Sequence, residues 1–252
     1  MHEREVVVEG NIRYATFIDR PNRFLVNLKL EGSSKTEKAF LHDPGRMKEL
    51  LLPKARLIIR EPLRRKDRKT NWDILAVKHE NRIITINSSL PNRVVKQAIT
   101  NKWINEISNY NNIKAEVKYG SSRLDFLLSN DKETCFVEVK GVTLVKGKKA
   151  LFPDAPTKRG ARHLRELIDI KSKGSRAIAL FVCMRDDPII FSPNKETDPE
   201  FSFQFREAVA NGVEMLVYTV KPTIKNEKLT LQFKNRINIE LEKRQSVIKL
   251  KD

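Results

Sequence analysis

Two carboxylates and a lysine, set in two apolar segments, are the residues of this chain best suited to chemistry. In "TCFVEVKGV" (134–142) Glu138 and Lys140 interrupt an apolar run, and in "RLDFLLS" (123–129) Asp125 does the same. Side chains alternate across a strand, so Phe136, Glu138 and Lys140 share one face and Cys135, Val137 and Val139 the other. By the same rule Arg123, Asp125 and Leu127 lie opposite Leu124, Phe126 and Leu128. A hairpin turning at "NDKE" brings Asp125 to the side of Glu138 and Lys140, an Asp-x12-Glu-x-Lys pattern. Two carboxylates so placed repel, and a hard divalent cation, Mg²⁺ or Mn²⁺, relieves the repulsion. A lysine beside them positions or deprotonates a water, or stabilises developing charge on phosphorus. The chemistry expected is metal-assisted phosphodiester hydrolysis, with Asp125 and Glu138 as metal ligands and Lys140 completing the catalytic set. The alternative is a solvated sheet face on which the acids pair with Lys140, Arg123 or other bases, because E-x-K within a strand is common.

These strands need a scaffold, and the surrounding sequence supplies α/β layers. Val94, Val95, Ala98 and Ile99 of "PNRVVKQAITNKWI" have helical spacing. Strands are expected at 113–120, 123–129 and 134–142, followed by a helix from about Thr157, its N-cap, to Lys173. "RAIALFVCM" reads as a strand buried on both faces, with a helix from about Asp198 to Asn211 and a strand at 213–220 after it. The helix after the acids carries Lys158, Arg159, Arg162 and His163, which could hold phosphates at a helix N-terminus that itself favours anions. Arg123 is a further phosphate contact, and Arg165 reads as solvated.

Residues 1–86 look all-β, with strand candidates at 12–18, 24–30, 38–42, 55–61, 71–78 and 82–87. "GRMKELL" is a short helix at most. Five or six short strands predict a small barrel of the oligonucleotide-binding (OB) kind. In "FLVNLKL", Phe24, Val26, Leu28 and Leu30 share one face, and Asn27 and Lys29 the other. The loop "PLRRKDRKTNW" brings Arg64, Arg65, Lys66, Arg68 and Lys69 to a phosphate backbone, with Tyr14 or Trp72 as base-stacking surfaces and a core role as the alternative for Trp72. The chain therefore divides into 1–86, 87–220 and a basic C-terminal extension, 221–252, holding one strand candidate, "LTLQF".

The 49 Lys and Arg exceed the 32 Asp and Glu, a net charge of +17 spread along the chain. A polyanion, nucleic acid above all, is the partner this implies, against the alternative of a lysine-rich surface. No apolar run is long enough to cross a membrane, and "MHEREVVVEG" lacks a signal peptide's apolar core. Cys135 and Cys183 sit in apolar runs, as buried thiols of a reducing cytoplasm do. No GxGxxG, HExxH or CxxC occurs, and "GVTLVKGKK" lacks the spacing and hydroxyl of a phosphate-binding loop.

"VKYGSSRLDFLL", "CFVEVKGVTLV", "LFPDAPTKRGARHLREL" and "ANGVEMLVY", with "HDPGRMKELLLPKARL" and "INSSLPNRVVKQAI" upstream, resemble the sugar fermentation stimulation protein A (SfsA) family. The likeness runs in order over roughly residues 12–220. It implies an N-terminal OB-like barrel, a C-terminal PD-(D/E)xK nuclease-like α/β domain with a mixed sheet, and non-specific DNA binding. In bacterial members it also implies a link to sugar utilisation. Asp125, Glu138 and Lys140 match that motif's acids and lysine, and His42 matches a first-domain histidine. Gln97 stands on the helix where such nucleases often carry a further acidic ligand, which leaves open whether Gln97, Glu116 or Asp154 completes a metal set. Three functions follow: a DNA-binding protein with a nuclease-like Mg²⁺ or Mn²⁺ site, a non-catalytic DNA-binding regulator on that scaffold, or an RNA-binding or RNA-processing factor.

Overall fold

A computed structural model describes residues 3–64 and 68–241. The first part of the chain forms β1 (Glu5–Val7), β2 (Ile12–Asn22), β3 (Leu25–Leu30), β4 (Thr36–Leu41), β5 (Arg56–Arg60), β6 (Trp72–His79) and β7 (Arg82–Thr85). Strands β2 to β6 run in the order β4-β3-β2-β5-β6, and a parallel pairing of β4 with β6 closes them into a five-stranded barrel. Closure leaves no free edge, and the long β2 bends through register shifts between Phe17 and Asn22 to make the curve. Alternation then drives Ala15, Phe17, Val26, Leu28, Ala39, Leu41, Leu57 and Ile59 inward. Phe24 departs from the expected face shared with Val26 and Leu28, because it lies in the turn before β3 and is exposed. "GRMKELL" forms turns rather than helix, and its Met47 and Leu50 pack in the barrel core.

The rest of the chain forms α1 (Leu90–Thr100), β8 (Asn112–Tyr119), β9 (Ser122–Ser129), β10 (Thr134–Val142), β11 (Val145–Lys146) and β12 (Lys149–Phe152). There follow α2 (Lys158–Ser172), β13 (Arg176–Cys183), β14 (Ile190–Pro193), α3 (Pro199–Ala210), β15 (Glu214–Lys225), β16 (Lys228–Arg236) and β17 (Asn238–Ile239). Seven strands make one mixed sheet, β1-β16-β15-β13-β10-β9-β8, whose middle three strands are parallel. Helix α1 covers one face, and α2 and α3 cover the other. β13, at the centre, is therefore buried on both sides, as its unbroken apolar run requires.

Helix α2 begins where Thr157 accepts a hydrogen bond from the Gly160 amide at 3.0 Å, which satisfies one of the free N–H groups of the first turn. Asp198 caps α3 in the same way, accepting from Phe201 N at 2.9 Å. Barrel residues Ile58, Leu75 and Ala76 belong to the same apolar cluster as Val94 and Val95 of α1 and Val137 of β10, so the barrel is seated on the α1 face.

Two outer limits of the expected division, the placement of the first strand and the end at 220, need amending. β1 pairs with β16, placing Glu5 opposite Gln232, so the first strand of the chain completes the second sheet. β15 continues past residue 220 to Lys225 and turns into β16, which contains the anticipated "LTLQF" strand. Residues 221–236 thus belong to the sheet rather than to an extension; residues 242–252 of the expected tail lie outside the described residues. Strands β11, β12, β14 and β17 form a small second sheet that the sequence pattern did not announce, since each is four residues or fewer.

The acid–lysine site and the barrel's basic cluster

β10 delivers its two faces as alternation requires: Cys135, Val137 and Val139 enter the core under α1, and Glu138 and Lys140 face α2. Glu138 is only 3% exposed. Its Oε1 accepts from Lys140 Nζ and pairs with His163 Nδ1, while its buried Oε2 has no hydrogen-bond partner. Burial opposes ionisation of Glu138, but the His163 hydrogen bond and the Lys140 charge outweigh it and hold the carboxyl below the usual range.

His163 is 1% exposed, so it makes no direct contact with a nucleic acid, contrary to the expectation for α2. Arg159 Nε donates to its Nε2 at 3.3 Å, which places the ring proton on Nδ1, aimed at Glu138. A line of bonds therefore runs from the exposed Arg159 through His163 to the buried acid.

Asp125 sits at a break in two ladders. The β9–β10 pairing ends at Phe126–Val137, and the β8–β9 pairing skips Glu116 and Asp125, with Glu116 at φ 53°. The break also reverses the pleat: Phe126 and Leu128 pack on the α1 side, but Leu124 packs on the α2 side, so the three do not share the face that strict alternation predicts. Freed from the ladder, the Asp125 carboxylate accepts from Val139 N at 2.7 Å and from Asn92 Nδ2 at 2.5 Å. Burial, and next the charge of Glu138, push its pKa up, as expected of two acids held close together.

The residues considered as a third acid go elsewhere. Gln97 is exposed on α1, and the α1 side chain on Asp125 is Asn92, which spacing alone did not single out. Glu116 pairs with Arg123 at 3.2 Å, both well exposed, so Arg123 lies on the surface rather than among the acids. Asp154 meets the barrel, as described below. Among the described residues no three His, Cys, Asp or Glu side chains form a metal-binding group. Lys158 and Arg162 are exposed on α2, where Arg162 Nε donates to Ser122 Oγ, and Arg165 pairs with Glu200 at the surface.

On the barrel, Arg64 and Lys69 are exposed, while Arg65 and Lys66 lie outside the described residues. Arg68 turns inward to Asp73, a buried acid that also faces His42 Nε2 at 3.6 Å and Arg60 Nη2 at 3.7 Å. Sequence reasoning missed Asp73 because it sits in an apolar strand and two of its basic partners, His42 and Arg60, come from other strands and loops, while Arg68, five residues away, read as a phosphate contact. Neither expected stacking residue is free. Trp72 is 7% exposed beneath Arg13, and Tyr14 has Arg56 over its ring at 4.1 Å and Lys78 at 5.7 Å.

Between barrel and sheet lies a cavity of about 370 Å³ lined by Asp43, Gly45, Gly141, Thr143, Asp154 and Thr157. A Cβ on Gly45 would stand 2.5 Å from Asp154 Oδ2 and 2.9 Å from Asp43 Oδ1, so the two acids approach across the interface over a glycine. Burial, and then repulsion from Asp154, raise Asp43 to about 6, against a hydrogen bond from Gly45 N. A carboxyl whose folded pKa exceeds its unfolded value binds the proton more tightly when folded, so its contribution weakens stability as pH rises from about 4 to 6. Asp43→Asn keeps the acceptor for Gly45 and removes the charge. Thermal unfolding at pH 8 should show it more stable than wild type by about 1–2 kcal/mol, a gap that closes by pH 4.

A closed OB barrel joined to a mixed α/β domain, with an acid-acid-lysine set on neighbouring strands, defines a two-domain protein of nuclease-like architecture. The chain belongs to the sugar fermentation stimulation protein family: residues 18–86 match the SfsA N-terminal OB domain and residues 89–226 the sugar fermentation stimulation protein RE domain. It is 48% identical over 214 residues to a sugar fermentation stimulation protein homolog of Moorella thermoacetica, covering 84% of this chain and 91% of that protein. A homolog from Methanosphaera stadtmanae is 39% identical over 241 residues, 94% of this chain and 99% of that one. The solved structure of Pyrococcus furiosus SfsA in complex with Ca²⁺ superposes with a TM-score of 0.85 at 26% identity, over 95% of this chain and 100% of that chain. No described helix is long and apolar enough to cross a membrane.

Proposed function

We propose that this protein binds DNA without sequence specificity and hydrolyses phosphodiester bonds at Asp125, Glu138 and Lys140 with Mg²⁺ or Mn²⁺. The observation that carries the reading is the Glu138 carboxylate, buried and held ionised by His163 and Lys140, with Oε2 unpartnered and Asp125 close enough to be raised by its charge. An anionic oxygen left without a partner in a buried position is costly, and a cation would satisfy it. Two carboxylates suffice for Mg²⁺, which commonly keeps several waters and takes its remaining ligands from substrate phosphates. The Ca²⁺ in the P. furiosus relative, also a hard oxygen-seeking cation, supports this class of ligand.

Asp125 and Glu138 would hold the ion, which when bound supplies phosphate charge neutralisation and a water of lowered pKa. Val139 N and Asn92 fix the Asp125 carboxylate, and His163 and Lys140 fix that of Glu138. Lys140 Nζ, bonded to Glu138, provides a positive charge next to the attacked phosphate. Exposed Lys158, Arg159 and Arg162 would grip the backbone, which makes affinity fall with salt and depend little on sequence. Cys135 and Cys183 are buried free thiols pushed up to about 12 by burial, which fits a reducing cytoplasm. A second reading, a non-catalytic DNA-binding regulator, is favoured by Asn92 standing where a third acid would serve. The barrel and the charge would serve RNA as well.

Calorimetric titration with Mn²⁺, run beside a cleavage assay on single- and double-stranded DNA and on RNA, tests the proposal. Mn²⁺ binding with cleavage lost in EDTA is expected. Salt-dependent binding without cleavage, unchanged by EDTA, would establish the regulator instead.

A further inference from the structure

Phe24 is 42% exposed, yet it is not loosely placed. Asn22 Oδ1 accepts from the amides of Phe24 and Leu25 at 2.9 and 3.0 Å, and the Phe24 carbonyl accepts from Leu41 N at 2.9 Å. Its ring stacks on Phe40, with centroids 5.9 Å apart and planes 17° from parallel. Two guanidinium groups and an imidazole surround the pair. Arg23 lies 5.9 Å from the Phe24 centroid, Arg68 lies 5.6 Å from that of Phe40, and the His42 ring meets Phe40 edge-on at 4.5 Å.

A singly exposed phenylalanine needs no explanation. An exposed ring held by backbone bonds, backed by a second ring and flanked by guanidinium groups has the composition of a base-stacking platform. Base stacking on aromatic rings combined with nearby positive charge is how single strands are held without sequence preference. The location fits as well. Arg20 donates to the carbonyls of Arg23, Asp43 and Gly45 at 2.7, 2.9 and 2.7 Å, fastening this turn to the loop at the domain boundary. Arg23 itself lines the cavity whose far wall is the end of β10 and the start of α2.

We propose that Phe24, stacked on Phe40 and flanked by Arg23 and Arg68, is the docking site for an unpaired nucleobase at the rim of the interdomain cavity. The nucleic acid this protein takes is accordingly single-stranded, or has a single-stranded end. A duplex offers no free base face, because its bases already stack on one another. Net positive charge and flanking arginines favour this polyanion over an apolar peptide. The inference rests on the nucleic-acid reading above and narrows its substrate.

The test is fluorescence anisotropy with a labelled single strand of about a dozen nucleotides and with the blunt duplex of the same sequence, on wild type, Phe24→Ala and Phe24→Trp. Because Phe24 is exposed, both variants should fold as wild type does. Loss of one stacked base should weaken single-strand binding ~5- to 100-fold in Phe24→Ala, with duplex binding unchanged and Phe24→Trp restoring affinity. A 2-aminopurine in the single strand should be quenched by wild type and by Phe24→Trp but not by Phe24→Ala. Equal single-strand binding by wild type and Phe24→Ala would overturn the stacking site and leave the nucleic-acid reading standing. A wild type that binds neither strand form would overturn both.

Discussion

Glu138→Gln is expected to lower Mn²⁺-dependent cleavage by at least ~100-fold and to weaken Mn²⁺ binding at least ~10-fold, without unfolding the protein. Glutamine has the shape of the wild-type side chain, and its carbonyl can still accept from Lys140 and His163. It cannot offer an anionic oxygen where Oε2 now stands without a partner. The change therefore separates the two services of Glu138, as acceptor for its neighbours and as anion. Circular dichroism and thermal unfolding check the first, and calorimetry and the cleavage assay check the second. Cleavage equal to wild type would remove this acid from catalysis.

The pH dependence follows from the partner acid. Asp125 is pushed above its ordinary pKa by burial and by Glu138, so cation affinity should climb as pH rises above the usual carboxylate range. Glu138, held low, is already ionised there and adds nothing to the slope.

Asp73→Ala should cost about 3 kcal/mol of stability, a fall of about 6–12 °C in the barrel's melting temperature. The carboxylate is nearly inaccessible, and Arg60, Arg68 and His42 converge on it with increasing side-chain exposure from 11% to 32%. Removing one member of a buried ionic cluster costs more than the bond itself, because the remaining charges stay desolvated. Arg60, the most enclosed, dominates that cost, and burial already presses its pKa down.

Burial disfavours the ionised Asp73, but bonds from His42 and Arg68 outweigh it, so the folded carboxyl titrates below its ordinary value. A group depressed in this way stabilises the fold above the unfolded pKa and loses that contribution as pH falls through the folded one. The gap between wild type and Asp73→Ala should therefore be full at neutral pH and narrow below about pH 4. Asp73→Asn, which keeps one acceptor, should fall between them in a guanidinium titration.

Much of this molecule is legible in local sequence because local rules govern it. Period-two alternation sorted the faces of β10 correctly, since a strand with one wholly apolar face leaves its residues no other arrangement. Thr157 and Asp198 announced two helix starts, because a helix's free amides need a nearby acceptor. The same rule failed at Asp125 and Phe24. There the pleat is broken by an irregularity opposite Glu116 and by a strand that starts one residue later than its apolar run.

What only the tertiary structure decided is pairing at long range. Asp73 with His42 and Arg60, Asn92 with Asp125, Asp43 facing Asp154, and β1 completing a sheet more than 200 residues later are partnerships between distant segments. Alternation and capping fix the direction a side chain takes from its own backbone. They carry no information about which remote segment comes to meet it, and a buried charge is satisfied by whichever opposite charge the closed fold brings into reach.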